Sequence, residues 1–295
     1  MQAKNEKKWE AIAIQEELRQ LGYNKWRDKA TGISCIEPPV APISAGEFLM
    51  GSDKSRDKQA NDNETPQHTV RLDGYEIGKY PVTVAEYALF VEATHCAAPS
   101  SWEEQRNRLE HPIVVEAIYR TTSRNWEEQK NRLDHPIVNV SWYDAQTYAK
   151  WLSEVTGESW RLPSEAEWEK AARGTDGRIW PWGNEWDASK ANTRENGPGT
   201  TTPVGSYLQG ASPYGVMDMA GNVWEWTHTV YKEYPYDTKD RREDEYSVDN
   251  RVLRGGSWVN HSGNARAASR YDNWADFTNY IRGFRLVCAA PAADS

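Results

Sequence analysis

The spacing of apolar and polar positions changes along the chain, and each change marks an element. In residues 5–22, Trp9, Ile12, Ile14, Leu18 and Leu21 fall on roughly one face of a helix, and Gly22 stands where that helix ends. Pro38, Pro39 and Pro42 then break the chain before Gly46-Glu-Phe-Leu-Met-Gly51-Ser52, a short strand bounded by glycines. His68 to Ile77 alternates polar with apolar and predicts one half-buried strand. Thr83 and Glu86 have the spacing of a capping box for a helix to about Val91. Ser141 with Asp144 opens a second helix to about Val155, stopped at Gly157, and Ser164 with Glu167 opens a third, stopped at Gly174.

Two stretches depart from this regularity. Trp102-EEQRNRLEHPIV returns 24 residues later as Trp126-EEQKNRLDHPIV. Each copy ends at His-Pro, where proline stops a helix, so residues 101–137 read as an inserted helical hairpin made by local duplication. His111 and His135 precede those prolines with no carboxylate spacing behind them, which is a poor metal pattern. The second stretch is residues 251–287. Arg251-Val-Leu-Arg254 reads as a strand entering a Gly255-Gly256 turn, and Gly283-Phe-Arg-Leu-Val287 reads as a second strand. The filling between them has neither a period of 2 nor one of 3.6 and is rich in Asn, Ser, Tyr, Trp and Phe. Those types serve recognition loops, since aromatic rings give stiff contact area and Asn and Ser adapt their hydrogen bonds. An ordinary Asn/Gly/Ser-rich connection is the plainer reading.

Composition narrows the classes. The 295 residues suffice for one large domain, and 35 basic against 44 acidic residues, a net charge of −9, leave no electrostatic footprint for nucleic acid or an anionic membrane. Three widely spaced cysteines, Cys35, Cys96 and Cys288, form neither a disulfide framework nor a CxxC pair, and no run approaches transmembrane length. A reducing cytoplasm is the expected compartment. Fifteen tryptophans serve chiefly to fill the core of a loop-rich fold. One tight motif carries candidate chemistry: Asp218 and Glu225, with a turn at Gly221 between them, bring carboxylates and main-chain carbonyls within reach of a hard cation such as calcium. The alternative is a turn whose carboxylates cap backbone amides.

Taken together, GEFLMGS, the Pro81-Val-Thr83 helix start, HPIVNVSWYDA, RLPSEAEWEKAARG, WPWGN, YGVMDMAGNVWEWT, RVLRGGSW and GFRLV resemble the formylglycine-generating enzyme (sulfatase-modifying factor) domain family, in its order, across residues 42–288. The resemblance implies an α+β fold of the C-type lectin type with much irregular structure. It sets the domain at 42–288, with a helical extension at 1–41, a tail at 289–295 and the duplication at 101–137 as an insert. It also implies calcium at Asp218 and Glu225 by side chain and at Gly221 and Val223 by carbonyl. A second cation site falls on Asn192, Thr193, Asn196 and Pro198, where Asn196 replaces an aspartate. The family's copper-binding cysteines fall on Asn260 and Ala265, which form no thiolate, and no His-x3-His-x-Glu iron pattern is present. No copper and no enzyme activity are therefore expected.

A branch of the same fold, the variable proteins of diversity-generating retroelements, is similar in its frames. Adenine-directed mutagenesis of AAY codons there yields the residue types that fill residues 251–287. The positions expected to form a diversified binding surface are Val259, Asn260, His261, Ser262, Tyr271, Asn273, Phe277, Asn279, Tyr280 and Ile281, with Trp274 among them as a fixed contact. The expected partner is a protein or other macromolecule. A rival reading makes the chain an enzyme with His261 as base and Arg270 or Arg285 as anion holder in one cleft. A third makes it a regulatory module of a signalling protein, attached by its N-terminal helix.

Overall fold

A computed structural model describes residues 16–27, 32–94, 129 and 131–289. In chain order the elements are α1 (Glu16–Gln20), β1 (Asn24–Arg27), β2 (Ser34–Glu37), β3 (Val40–Ile43), β4 (Gly46–Met50), β5 (His68–Leu72), β6 (Tyr75–Gly78), α2 (Val84–Thr94), α3 (Trp142–Thr156) and α4 (Glu165–Arg173). Then follow β7 (Trp224–Val230), β8 (Arg251–Arg254), β9 (Arg270–Asn273), β10 (Arg282–Phe284) and β11 (Val287–Ala289). A four-stranded sheet, β10-β7-β8-β9, is antiparallel except where β10 lies parallel to β7. A second sheet, β11-β6-β3, is antiparallel, and β4 pairs with β5. No described helix is long and apolar enough to cross a membrane.

Local signals set the helices. Ser141 accepts from the Asp144 amide, the Asp144 carboxylate accepts from the Ser141 amide, and Gly157 closes α3 at φ 80°. Ser164 and Glu167 do the same for α4. Helix α3 presses Trp142, Tyr148 and Leu152 against Trp226, Leu253 and Phe284 of the large sheet in the principal core, while Trp168, Ala171 and Ala172 of α4 pack in a second cluster. The indole N–H groups are satisfied as they are buried: Trp142 donates to the Thr227 carbonyl and Trp226 to the Val140 carbonyl.

Two expected strands are each two. The strand at 68–77 breaks at Asp73-Gly74, because β5 pairs with β4 while β6 joins β3 and β11. The same alternation runs through both halves, so the period alone does not reveal the change of partner. The strand at 283–287 breaks at Arg285, where the chain leaves β7 for β6. The filling between β8 and β10 also contains β9, which pairs with β8 from Arg254↔Arg270 to Arg251↔Asn273. Of the N-terminal helix only Glu16–Gln20 is described, and the duplication at 101–137 lies outside the described residues except for position 129 and the end of its second copy.

The start of α2 carries a buried acid. Glu86 accepts from the Thr83 amide and hydroxyl at 2.6 Å, its Oε1 is buried without a partner, and burial pushes its pKa up to about 8. A carboxyl whose folded pKa exceeds its unfolded value contributes stability that is full below about pH 4.5 and is lost as pH rises toward about 8. Glu86→Gln should remove that loss, so wild type should weaken relative to the variant between pH 5 and 8 by a few kcal/mol. Urea midpoints at both pH values check this, and parallel profiles would refute it.

Candidate functional site

The frame around residues 251–287 is built from buried arginines. Arg254 binds Glu165 and Glu169, and Arg270 binds both oxygens of Glu165. Arg266 binds Glu64 and Asp57, and Arg251 binds four main-chain carbonyls. Gly256, at φ 73°, lets the turn after β8 pack against the Asn264 carbonyl, which a Cβ would meet at 2.8 Å. The irregular filling is thus clamped from beneath by long-range ion pairs.

On this frame the expected surface residues divide. Tyr271 (45% exposed), Trp274 (68%), Phe277 (42%) and Tyr280 (51%) reach solvent, and His261 is exposed as well. Tyr271 lies against Trp224, Phe277 sits 4.4 Å from the Arg282 guanidinium, and Tyr280 lies against Trp258. Val259, Ser262, Asn273, Asn279 and Ile281 are half-buried. Ile281 packs on the principal core, and the Asn279 carbonyl accepts from the Asn139 amide. Asn260 is held by donors: Trp224 Nε1 and Ser257 Oγ both reach its Oδ1, at 2.9 and 2.5 Å. Ala265, the other cysteine position, is fully buried.

The structure does not assemble the expected His261 cleft. His261 lies 3.4 Å from Glu195 at the surface, whereas Arg270 and Arg285 are buried and committed to Glu165 and Glu225. A different cleft, of about 230 Å³, opens beside Tyr280 and Trp258. Arg132, His135, Asn139 and Thr201 line it, with His135 Nδ1 2.9 Å from Thr201 Oγ1 and the Asn139 side-chain nitrogen Nδ2 buried without an acceptor. Burial lowers the His135 pKa, so the ring stays neutral to lower pH than an ordinary histidine. The sequence marks His135 through the duplication but places nothing else beside it.

The cation positions fit in part. Asp218 is buried, accepts from the Gly205 amide at 2.7 Å, and is pushed up to about 6 by burial. Both oxygens of Glu225 are already engaged, by Arg285 and by Trp168 Nε1. Oxygen-rich ligation there would rest on Asp218 and the carbonyls of Gly221 and Val223, with Glu225 shared. At the second position Asn192 Oδ1 is buried without a donor and Thr193 is buried, but Asn196 is exposed and gives its amide to the Ala188 carbonyl.

A family model described as "Sulfatase-modifying factor enzyme 1-like domain" matches residues 36–290. The chain belongs to this family. Hercynine oxygenase of Mycolicibacterium smegmatis is 32% identical over 79% of this chain and 56% of its own length. Formylglycine-generating enzyme of Streptomyces coelicolor is 34% identical over 83% of this chain and 87% of its own. The chain thus spans about half the length of the hercynine oxygenase. Treponema denticola variable protein 1 matches in structure with a TM-score of 0.62 at 21% identity, covering 91% of this chain and 99% of that one, a likeness of fold. The fold is that of the formylglycine-generating enzyme family, mixed α and β with much irregular structure, as the motifs imply. One expectation is corrected. The relatives named above, hercynine oxygenase and formylglycine-generating enzyme, bear enzyme names, so the absence of two cysteines from positions 260 and 265 does not make the chain a non-enzyme.

Proposed function

We propose that the chain binds a macromolecular ligand, a protein in the first instance, through the face formed by Tyr271, Trp274, Phe277 and Tyr280, and that the solvent-facing positions around them are diversified. One observation carries the reading. Of the seven large hydrophobic side chains exposed among the described residues, four lie within residues 271–280, over a frame in which Arg254 and Arg270 are buried and paired with Glu165. Grouped apolar exposure on a rigid base is the mark of an interaction site rather than of scattered surface residues. The diversification is tested in DNA. A second, near-identical copy of the codons for residues 258–285, differing only at adenines and lying beside a reverse transcriptase gene, supports it; a locus without one removes that part of the proposal.

A second reading, catalysis at the cleft beside Tyr280, is favoured by the enzyme names of the relatives and by a neutral His135 hydrogen-bonded to Thr201. In it His135, not His261, is the general base. His135→Ala should then lower turnover at least about 100-fold with the fold retained, the usual contribution of a positioned base. Unchanged turnover would remove that role.

The family's calcium belongs to the same proposal, with Asp218 as its principal side-chain ligand. Added calcium should raise the melting temperature, by about 2.7 kcal/mol of stabilisation at 100 times the dissociation constant. Asp218→Asn should abolish that rise. An equal calcium response in both proteins would move the ion elsewhere.

A further inference from the structure

Six arginines lie between positions 251 and 285, and all six are buried. Arg254, Arg266, Arg270 and Arg285 each meet a buried carboxylate, and Arg251 meets four carbonyls. Arg282 is the exception. It is 4% exposed, makes no ion pair among the described residues, and its Nε and Nη1 atoms are buried without an acceptor. Around it stand aromatic rings: Phe277 at 4.4 Å, and Tyr271 and Trp226 each at 5.8 Å from the guanidinium carbon. Such rings attract the cation, and the Tyr271 side chain also accepts from it, but Nε and Nη1 keep no acceptor. Burial lowers the Arg282 pKa and only Tyr271 offsets it, in contrast to the carboxylate-paired Arg254, Arg266 and Arg270, which are raised.

An uncompensated buried charge is costly, and this chain supplies carboxylates to neighbouring arginines of the same segment. The position of the exception is therefore informative. Arg282 opens β10, which is held parallel against β7, and two of its three covering rings, Tyr271 and Phe277, are the half-exposed rings of the proposed binding face. Its free donors lie one side chain beneath that face.

We infer that Arg282 receives a carboxylate, the Asp or Glu side chain of a protein partner, which enters between Tyr271 and Phe277 as their rings seat the apolar part of the same contact. One guanidinium matches one monoanion, and charge-assisted bonds to a carboxylate would satisfy the orphaned donors. This rests on the reading of the face as a binding surface and names the chemistry of what binds there.

The test uses the full chain labelled with 15N at arginine, following the Arg282 Nε–H resonance, assigned by its disappearance in Arg282→Lys. The probes are two end-blocked dipeptides, acetyl-Glu-Leu-amide and acetyl-Gln-Leu-amide, with acetyl-Gln-Leu bearing a free C-terminus, and inorganic phosphate. A saturable shift with the Glu peptide, absent with the blocked Gln peptide, is the expected result. No shift with the Glu peptide overturns the inference. So does tighter binding of the free C-terminus or of phosphate, which would assign Arg282 to a different anion. A second variant tests the structural alternative: Arg282→Met removes an unpaired buried charge, so it should melt no lower than wild type while losing the Glu-peptide response. Marked destabilisation of that variant would make Arg282 a packing residue and overturn the inference. If instead the aromatic substitutions abolish partner binding while Arg282→Met leaves it unchanged, the binding face stands and the carboxylate assignment alone falls.

Discussion

Glu165→Ala is expected to remove at least about 3–5 kcal/mol of stability, the cost of leaving a buried ion without its partner. The magnitude follows from what one carboxylate holds. Its Oε1 accepts from Arg254 Nη1 at 3.2 Å, from Arg270 Nε at 2.6 Å and from the Tyr234 hydroxyl at 3.2 Å, while Oε2 accepts from Arg270 Nη2 at 2.9 Å. Glu165, Arg254 and Arg270 are all buried, so truncation strands charge that water cannot reach. Arg254 keeps Glu169, but Arg270 is left with the main-chain carbonyls of Asn63 and Lys232. Against a total of about 5–15 kcal/mol for an ordinary domain, such a loss populates the unfolded state. Urea unfolding of wild type, Glu165→Gln and Glu165→Ala measures it. A loss below about 1 kcal/mol in both variants would show that the network is dispensable. The effect reaches function because Glu165 ties α4 to β8 and β9, and β9 carries Tyr271.

How far the sequence discloses this arrangement depends on the range of each signal. Capping boxes at Ser141 and Ser164 are complete within four residues, and α3 and α4 begin where those motifs place them. The strand β7 escapes a search for alternation because nearly every residue from Trp224 to Val230 is buried on both faces. In α4 the charged residues Glu165, Glu169, Lys170 and Arg173 are all buried, which the capping box at Ser164 does not disclose. Apart from the local Glu169–Arg173 pair, their ion-pair partners lie far away in sequence, as Arg254 does from Glu165, 89 positions apart; outside α4, Arg266 and Glu64 are 202 positions apart. The same distance dependence hid the candidate site. Tyr271, Phe277 and Tyr280 are legible by composition, whereas the isolation of Arg282 is visible only once four of the other arginines are seen to meet carboxylates and Arg251 four main-chain carbonyls. Arg270 and Arg285, read as anion holders, turn out to be structural for the same reason in reverse.

The combined substitution of Tyr271, Phe277 and Tyr280 by alanine should weaken binding of a partner at least about 100-fold, while leaving the protein folded. Two anchors at 2 kcal/mol or more apiece already give that factor, because each 1.4 kcal/mol is tenfold. The fold should survive because these rings stand on the frame without forming part of it. Tyr271 leaves Trp224 anchored by its bond to Asn260, the Tyr280 ring lies against the half-buried Trp258, and none of the three belongs to a core cluster. Some stability should still be lost, about 1–2 kcal/mol, from those ring contacts and from uncovering Arg282. Leu208→Ala, at an exposed apolar side chain outside this segment, is the control and should change neither quantity. Binding curves and urea midpoints on the same samples separate the outcomes. An unfolded triple variant would make the rings core residues and the surface wrong, whereas a folded variant with unchanged affinity would place the partner on another face. Lost affinity with a retained midpoint is the result that a rigid frame carrying exposed anchors requires.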